Sequence, residues 1–347
     1  MGKGVDVRPS DTGMSGPTST DLDALLAHLG SDREHDSDAL TIARFANSDL
    51  KGADLAGQDL SGVDLSGADL TGAKLNNADL TGAILHGSRI SGATFLGATL
   101  VDVDASNAEA HGITAAGVDA SGASFAGADL SGSSLTKATL TRADLRGARL
   151  AECRLRDADL SGVDGFRADL TGTDLEGADV DKATFRDSDM SRAHVRGLRN
   201  YDSADWIGTT LRDIDYTGAY LIRRHMVDQN YLHEFSSQSP LHRWIYLAWK
   251  ITSNCGRSFA RWATLTFTLA ALYSFAYLAV DIDYGAYHTP LSPLYYSLVT
   301  MTTLGYGDVL PASGPAQIVA LAEVVTGYFM LGGLLGIFAN KMSRRAD

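Results

Sequence analysis

Cysteine is nearly missing from this 347-residue chain: only Cys153 and Cys255 occur, far apart. That excludes a disulfide framework and any cysteine-based zinc spacing, and two lone thiols suit a reducing compartment. Proline is scarce, with seven residues. The opening MGKGVDVRPSDTGMSG has no apolar core, so it does not read as a secretory signal. No catalytic set is visible. His86, His111 and His194 are scattered, so the chain reads as a non-enzyme with no cofactor. Lys and Arg are absent throughout 262–340.

What is present is unevenly distributed. The formal charge is −13, yet from 223 onward nine Lys or Arg stand against seven Asp or Glu. The negative charge therefore belongs to 1–222, and two chemically different parts share one chain. Residues 1–40, rich in Ser, Asp, Gly and Thr, read as mostly disordered. The exception is STDLDALLAHLG, where Ser19 or Thr20 can cap a short helix striped by Leu22, Leu25, Leu26 and Leu29 and ended by Gly30. Such a helix could lid the next domain or bind a partner.

From Phe45 a five-residue period takes over, as in ADLAGQDLSGVDLSGADL. Large apolar residues recur from Leu50 through Leu100, and again from Phe125 through Val195. The frame weakens at Ala105, Ala110, Ala115 and Ala120, and Gly165 breaks it once. It slips by one after Val195 and runs out through Trp206, Leu211, Tyr216 and Leu221. A small residue stands two places before most large ones, as at Ala53, Ala68 and Ala143. A period of five is neither 3.6 nor 2, so the segment is not an ordinary amphipathic helix or strand. It resembles the pentapeptide-repeat family, with its A-(D/N)-L-x-x pattern. The resemblance implies a right-handed quadrilateral β-helix over 41–222, four repeats per coil, with coils stacked at about 4.8 Å.

A linker and helix follow over 223–258. In LHRWIYLAWKITSN, Trp244, Leu247, Ala248 and Ile251 share one helical face beside Arg243 and Lys250. Two readings stand: a helix on the membrane interface, or one packed on the end of the solenoid.

The channel-like part is expected over 259–345. Residues 262–280 carry no charge and 315–340 carry one Glu, so each is long enough to span a hydrocarbon layer of about 30 Å. Arg257 and Arg261 precede this block, and Lys341, Arg344 and Arg345 follow it. The positive-inside rule then puts both termini in the cytoplasm of a multi-pass cell-membrane protein. Ser292 as a cap and Pro293 in the first turn predict a short helix over 293–302 that enters from outside and returns as extended chain. In the return, TLGYGD, glycines at 305 and 307 permit alternating backbone hands, so that successive carbonyls line one side.

TLGYGD between a short helix and a second span resembles the selectivity filter of potassium channels. The resemblance implies an all-α, two-span pore domain that assembles as a homotetramer in the lipid bilayer. It implies that Thr303, Leu304, Gly305, Tyr306 and Gly307 form the filter, with potassium ions at the oxygens of Thr303, Leu304, Gly305 and Tyr306. Asp308 would sit at the outer mouth, reached by Tyr295, while Tyr296 and Thr300 would hydrogen-bond Tyr306. Val299 stands where some bacterial members carry a buried Glu, and Leu304 replaces a β-branched residue, which bears on filter stability. Gly327 falls where the family often has a hinge glycine, with Gly332, Gly333 and Gly336 beyond it. Hinge and close-packing readings stay open for all four. Ile337, Phe338 and Ala339 are candidates for an apolar gate, and Glu323 is an intramembrane acid with either a gating or a packing role. No Arg-rich helix suggests a voltage sensor.

For the solenoid three readings stand: a scaffold or docking surface for a cytoplasmic protein, an acidic concentrator of cations, or a DNA-like surface. The membrane tether argues against the last, so no nucleic acid is expected. The whole chain reads as a potassium-selective channel. The alternative is a membrane-tethered interaction scaffold with a non-conducting or nonselective cation pore.

Overall fold

The structure, a computed structural model, describes residues 23, 24, 27, 45–217, 219–286 and 288–343. Residues 23, 24 and 27 are helical. The Leu22, Leu25, Leu26 and Leu29 stripe lies outside the described residues. The chain divides into two units, Met1–Tyr231 and Leu232–Asp347.

The first unit follows from the chemistry of each pentad. In a unit such as Asp59-Leu60-Ser61-Gly62, the Asp59 carboxylate accepts the Ser61 backbone N–H at 3.0 Å and the Ser61 hydroxyl at 2.6 Å. This Asx-type contact turns the chain. Gly62, at φ +68°, completes the turn in the left-handed region, and Asn77, at φ +59°, does the same elsewhere. Leu60 meanwhile points inward and is fully buried. Parallel bridges join residues twenty apart, from Asp49↔Asp69 to Asp179↔Arg199, so four pentads make one coil. The Asp69 carboxylate receives Arg89 at 2.7 Å and Lys51 at 3.0 Å. Burial pushes its pKa up, but hydrogen bonds from Thr71, Lys51 and Arg89 outweigh this and hold it well below the usual carboxylate range. Its contribution to stability is complete above the normal carboxylate pKa and fades only as the pH falls through the depressed one. Cys153 is buried in the core, and burial pushes its thiol up to about 12.

Two apparent lapses in the repeat are compensated packing. At Ala105, Ala115 and Ala120 the bulk moves two places back, to Val103, Ile113 and Val118, all buried, while Ala110 keeps a small partner, Ala108. Gly165 leaves room that the Phe185 ring of the next coil fills: a Cβ at 165 would lie 2.8 Å from that ring. Phe185 in turn stacks on Trp206 with centroids 5.0 Å apart. The slip in frame is an inserted residue, since bridges after it pair residues twenty-one apart, beginning with Thr184↔Asp205.

Helix α1, Tyr220–Ser237, changes the expected end of the domain. Leu221 is not the last inward pentad residue. It is 64% exposed on the first turn of α1, while Ile222 and Met226 enter the core. Residues 223 onward are therefore not a plain linker. The side chains of Gln229 and Asn230 replace the missing next coil. Gln229 accepts the Trp206 N–H at 2.7 Å and donates to the Ala204 carbonyl at 3.2 Å. Asn230 accepts the Gly208 N–H at 2.7 Å and donates to the Trp206 carbonyl at 3.0 Å. Gln229→Leu is expected to leave buried backbone groups unpaired at a cost of about 1–3 kcal/mol. The check is a lower thermal midpoint in circular dichroism, with Gln229→Glu, which keeps only the acceptor, falling between.

In the second unit, α2 spans Pro240–Ser253, with Ser239 accepting the His242 N–H as its N-cap. Its Leu241, Trp244 and Ile251 are strongly exposed. Helix α3 spans Phe259–Tyr277 and stops three residues short of the expected 262–280 segment. Strand β1, Ile282–Asp283, pairs antiparallel with β2, Leu310–Pro311. Between them lies α4, Ser292–Met301, and after them α5, Gly314–Ser343. Ser292 is not the cap of α4. Leu291 holds that position without a side-chain bond, and the Ser292 hydroxyl instead accepts the Thr289 N–H at 2.9 Å. Helices α3, α4 and α5 pack on one another. Among the described residues, one stretch of helix, Gly314–Ala339, is long and apolar enough to cross a membrane.

Candidate functional site

The segment after α4 is tied to the end of that helix. Thr303 N–H reaches the Thr300 carbonyl at 3.0 Å, and Leu304 N–H reaches the Val299 carbonyl at 3.0 Å. From there φ alternates in sign. Thr303 (+58°), Gly305 (+49°) and Gly307 (+75°) are left-handed, whereas Leu304 and Tyr306 are not. Alternating hands keep successive peptide planes facing alike, so a short run of carbonyls can act as one row of oxygens. The two glycines were legible as requirements for this, but Thr303 was not. A β-branched residue at positive φ is strained, and the only sequence signal for it is its place two residues before Gly305.

Beyond the row, Tyr295 donates its hydroxyl to Asp308 at 2.6 Å. Tyr296 and Thr300 do not meet Tyr306 within this chain. They line one cleft instead, Tyr296 packs on Tyr277 at 4.8 Å, and Tyr306 is 67% exposed. Leu304 is exposed as well. A cleft between α4 and α5, lined by Tyr296, Thr300, Val324 and Tyr328, opens beside the segment.

Glu323 is fully buried, with one carboxyl oxygen against the Tyr277 hydroxyl and the other against the Ser297 hydroxyl. The α5 glycines divide into two kinds. A Cβ on Gly327 would strike the backbone carbonyl of Met301, and one on Gly333 would strike the Trp262 ring, whose Nε1 donates to the Met330 carbonyl at 2.8 Å. Gly332 and Gly336 have open space. Of the expected apolar gate, Phe338 is exposed, but Ile337 is buried against its own chain.

Comparison with known proteins agrees with this division. Residues 48–87, 78–114, 116–150 and 166–197 match pentapeptide repeats, in eight copies, and residues 261–344 match the ion channel family. The chain thus joins a pentapeptide-repeat solenoid to an ion channel domain. More particularly, the relatives that this region resembles are potassium channels. Over 72 residues the chain is 40% identical to two pore potassium channel b of Oryza sativa, covering 20% of this chain and 21% of that one. It is 37% identical over 51 residues to a voltage-gated potassium channel of Aeropyrum pernix, covering 15% and 17%. The chain therefore spans only about a fifth of the length of these relatives. Among solved structures, HetL, a pentapeptide repeat protein from the cyanobacterium Nostoc, is 28% identical, with 51% of this chain and 84% of that one covered and a TM-score of 0.28.

Proposed function

We propose that four copies of this chain assemble a potassium-selective channel in which the carbonyls of Thr303, Leu304, Gly305 and Tyr306, with the Thr303 hydroxyl innermost, replace the hydration shell of the ion. The observation that carries this reading is the alternating φ at 303–307, directly after a short helix. One chain supplies one row of oxygens, and a ring requires several. The exposure of Leu304, Tyr306, Tyr328 and Phe329 supports their burial against further copies. Tyr306 of one copy would then reach the Tyr296–Thr300 cleft of the next.

Helices α3 and α5 act as the two spans, and α4 as the re-entrant pore helix. The absence of Lys and Arg through 262–340, with Arg257 and Arg261 before and Lys341, Arg344 and Arg345 after, supports cytoplasmic termini. Trp244 and Ile251 beside Arg243 and Lys250 support α2 as a helix on the membrane interface. The solenoid serves as a cytoplasmic scaffold or docking module. Among the glycines, Gly332 has the space a bend requires, while Gly327 and Gly333 serve close packing; Phe338 is the candidate for the apolar gate.

Purified protein in liposomes is expected to take up rubidium, with block by barium and a reversal potential that follows potassium over sodium. Gly305→Ala forces a Cβ into the left-handed region at about 1–2 kcal/mol per copy, repeated around the ring, and is expected to abolish selective flux. Equal potassium and sodium permeability in the unmutated protein would defeat the reading.

A further inference from the structure

Glu323 has no exposed surface, and the oxygen-lined route proposed above does not use it. Its surroundings are specific. One carboxyl oxygen meets the Tyr277 hydroxyl of α3, and the other meets the Ser297 hydroxyl of α4. Ser297 Oγ also lies 2.7 Å from the Ala270 carbonyl on α3. Three oxygen–oxygen contacts need three protons. Tyr277 and Ser297 bring one each, and the Ala270 carbonyl brings none. The remaining source is the carboxyl group itself.

Charge leads to the same point. No Lys or Arg occurs between Arg261 and Lys341, so neither this chain nor another copy has a cation there to balance a carboxylate. The titratable side chains around the group are Tyr277, with Tyr296 and Tyr273 beside it. A buried carboxylate without a countercharge is costly, whereas a neutral acid with both oxygens hydrogen-bonded is not.

We propose that Glu323 is a filter-positioning residue that works as a neutral carboxylic acid. Tyr277 donates to one of its oxygens, its own O–H donates to Ser297, and Ser297 donates to the Ala270 carbonyl. This relay fastens α5 through α4 to α3. Helix α4 carries the 303–307 row on its last turn, through the Thr300 and Val299 carbonyls. The relay therefore sets where the row begins. The positioning role rests on the channel reading; the proton assignment does not.

Glutamine reproduces the pattern, its N–H donating to Ser297 and its oxygen accepting from Tyr277. Full-length E323Q is thus expected to keep wild-type rubidium flux. Glu323→Ala and Tyr277→Phe are each expected to lose roughly tenfold or more, the scale of an unpaired buried polar group. The residual current should inactivate quickly and recover when external potassium is raised, because an ion that binds only the intact filter stabilises it. A general folding defect would not show that potassium dependence. E323Q as impaired as Glu323→Ala, or Tyr277→Phe indistinguishable from wild type, would overturn the positioning role. Infrared difference spectra at neutral pH, wild type minus E323Q, test the proton separately. The carbonyl stretch of a protonated acid is expected, and carboxylate bands alone would overturn the assignment. If the unmutated protein passes no rubidium, the channel reading fails while the infrared result still decides the protonation.

Discussion

Gly327→Ala is expected to abolish assembly of the channel domain and all rubidium flux, while Gly332→Ala leaves both close to wild type. The contrast comes from what each glycine faces. An added Cβ at 327 would meet the carbonyl oxygen of Met301, with the Met301 carbonyl carbon 3.0 Å and its Cα 3.2 Å away. These are backbone atoms at the end of α4 and cannot rotate aside, so α4 or α5 must shift. Overpacking of this kind costs about 1–3 kcal/mol or more in a single core, and four copies share the axis in the proposed assembly. The shift would be passed straight to Thr303 and Leu304, which hang from the last turn of α4. Gly332, with open space at its Cβ position, would accept the methyl group. The measurements are oligomer size in detergent and rubidium uptake. A Gly327→Ala protein that is tetrameric and conducts normally would show that the close approach does not govern the pore.

Gly165→Leu is the second large effect, and it runs against intuition. The substitution restores the regular pentad, yet it is expected to destabilise the solenoid. The space in question already holds the Phe185 ring, 2.8 Å from where even a Cβ would stand, with the Thr184 carbonyl oxygen 3.2 Å away. A leucine there would displace Phe185, and with it the Phe185–Trp206 stack near the capped end. The expected cost lies at the upper end of the overpacking range, about 3 kcal/mol. A matched change at an ordinary inward position, Leu60→Met, conserves volume and should cost less than about 1.5 kcal/mol. Thermal melting of 45–231 coils in the full chain, followed by circular dichroism, would compare them; a Gly165→Leu midpoint at or above wild type would contradict the packing.

The solenoid was legible because its rule is local. Each Asp, Leu and Gly at its place in the pentad sets a turn, an inward side chain or a left-handed residue without reference to distant sequence. What escaped was pairing between coils. The alanines at 105, 115 and 120 stand for weakness only when bulk is counted at one position, since Val103, Ile113 and Val118 supply it at the other. Gly165 looked like a break because Phe185 lies twenty residues away. The helix that begins at Tyr220 was hidden by Leu221, which fits the pentad frame but faces outward. In the channel domain, the Tyr295–Asp308 contact lay in the motif's spacing, whereas the partners of Glu323 come from two other helices and no local pattern joins them. Tyr306, exposed in a single chain, illustrates a different limit, since the residues proposed to hold it belong to another copy.

The helix that closes the solenoid has one more consequence. A stack of parallel coils ends in a row of unused amide and carbonyl groups, which is a template for the first coil of any identical molecule. Here Gln229 and Asn230 occupy that row, and Met226 blocks the apolar centre. An identical molecule that approaches this end therefore meets backbone groups that are already paired.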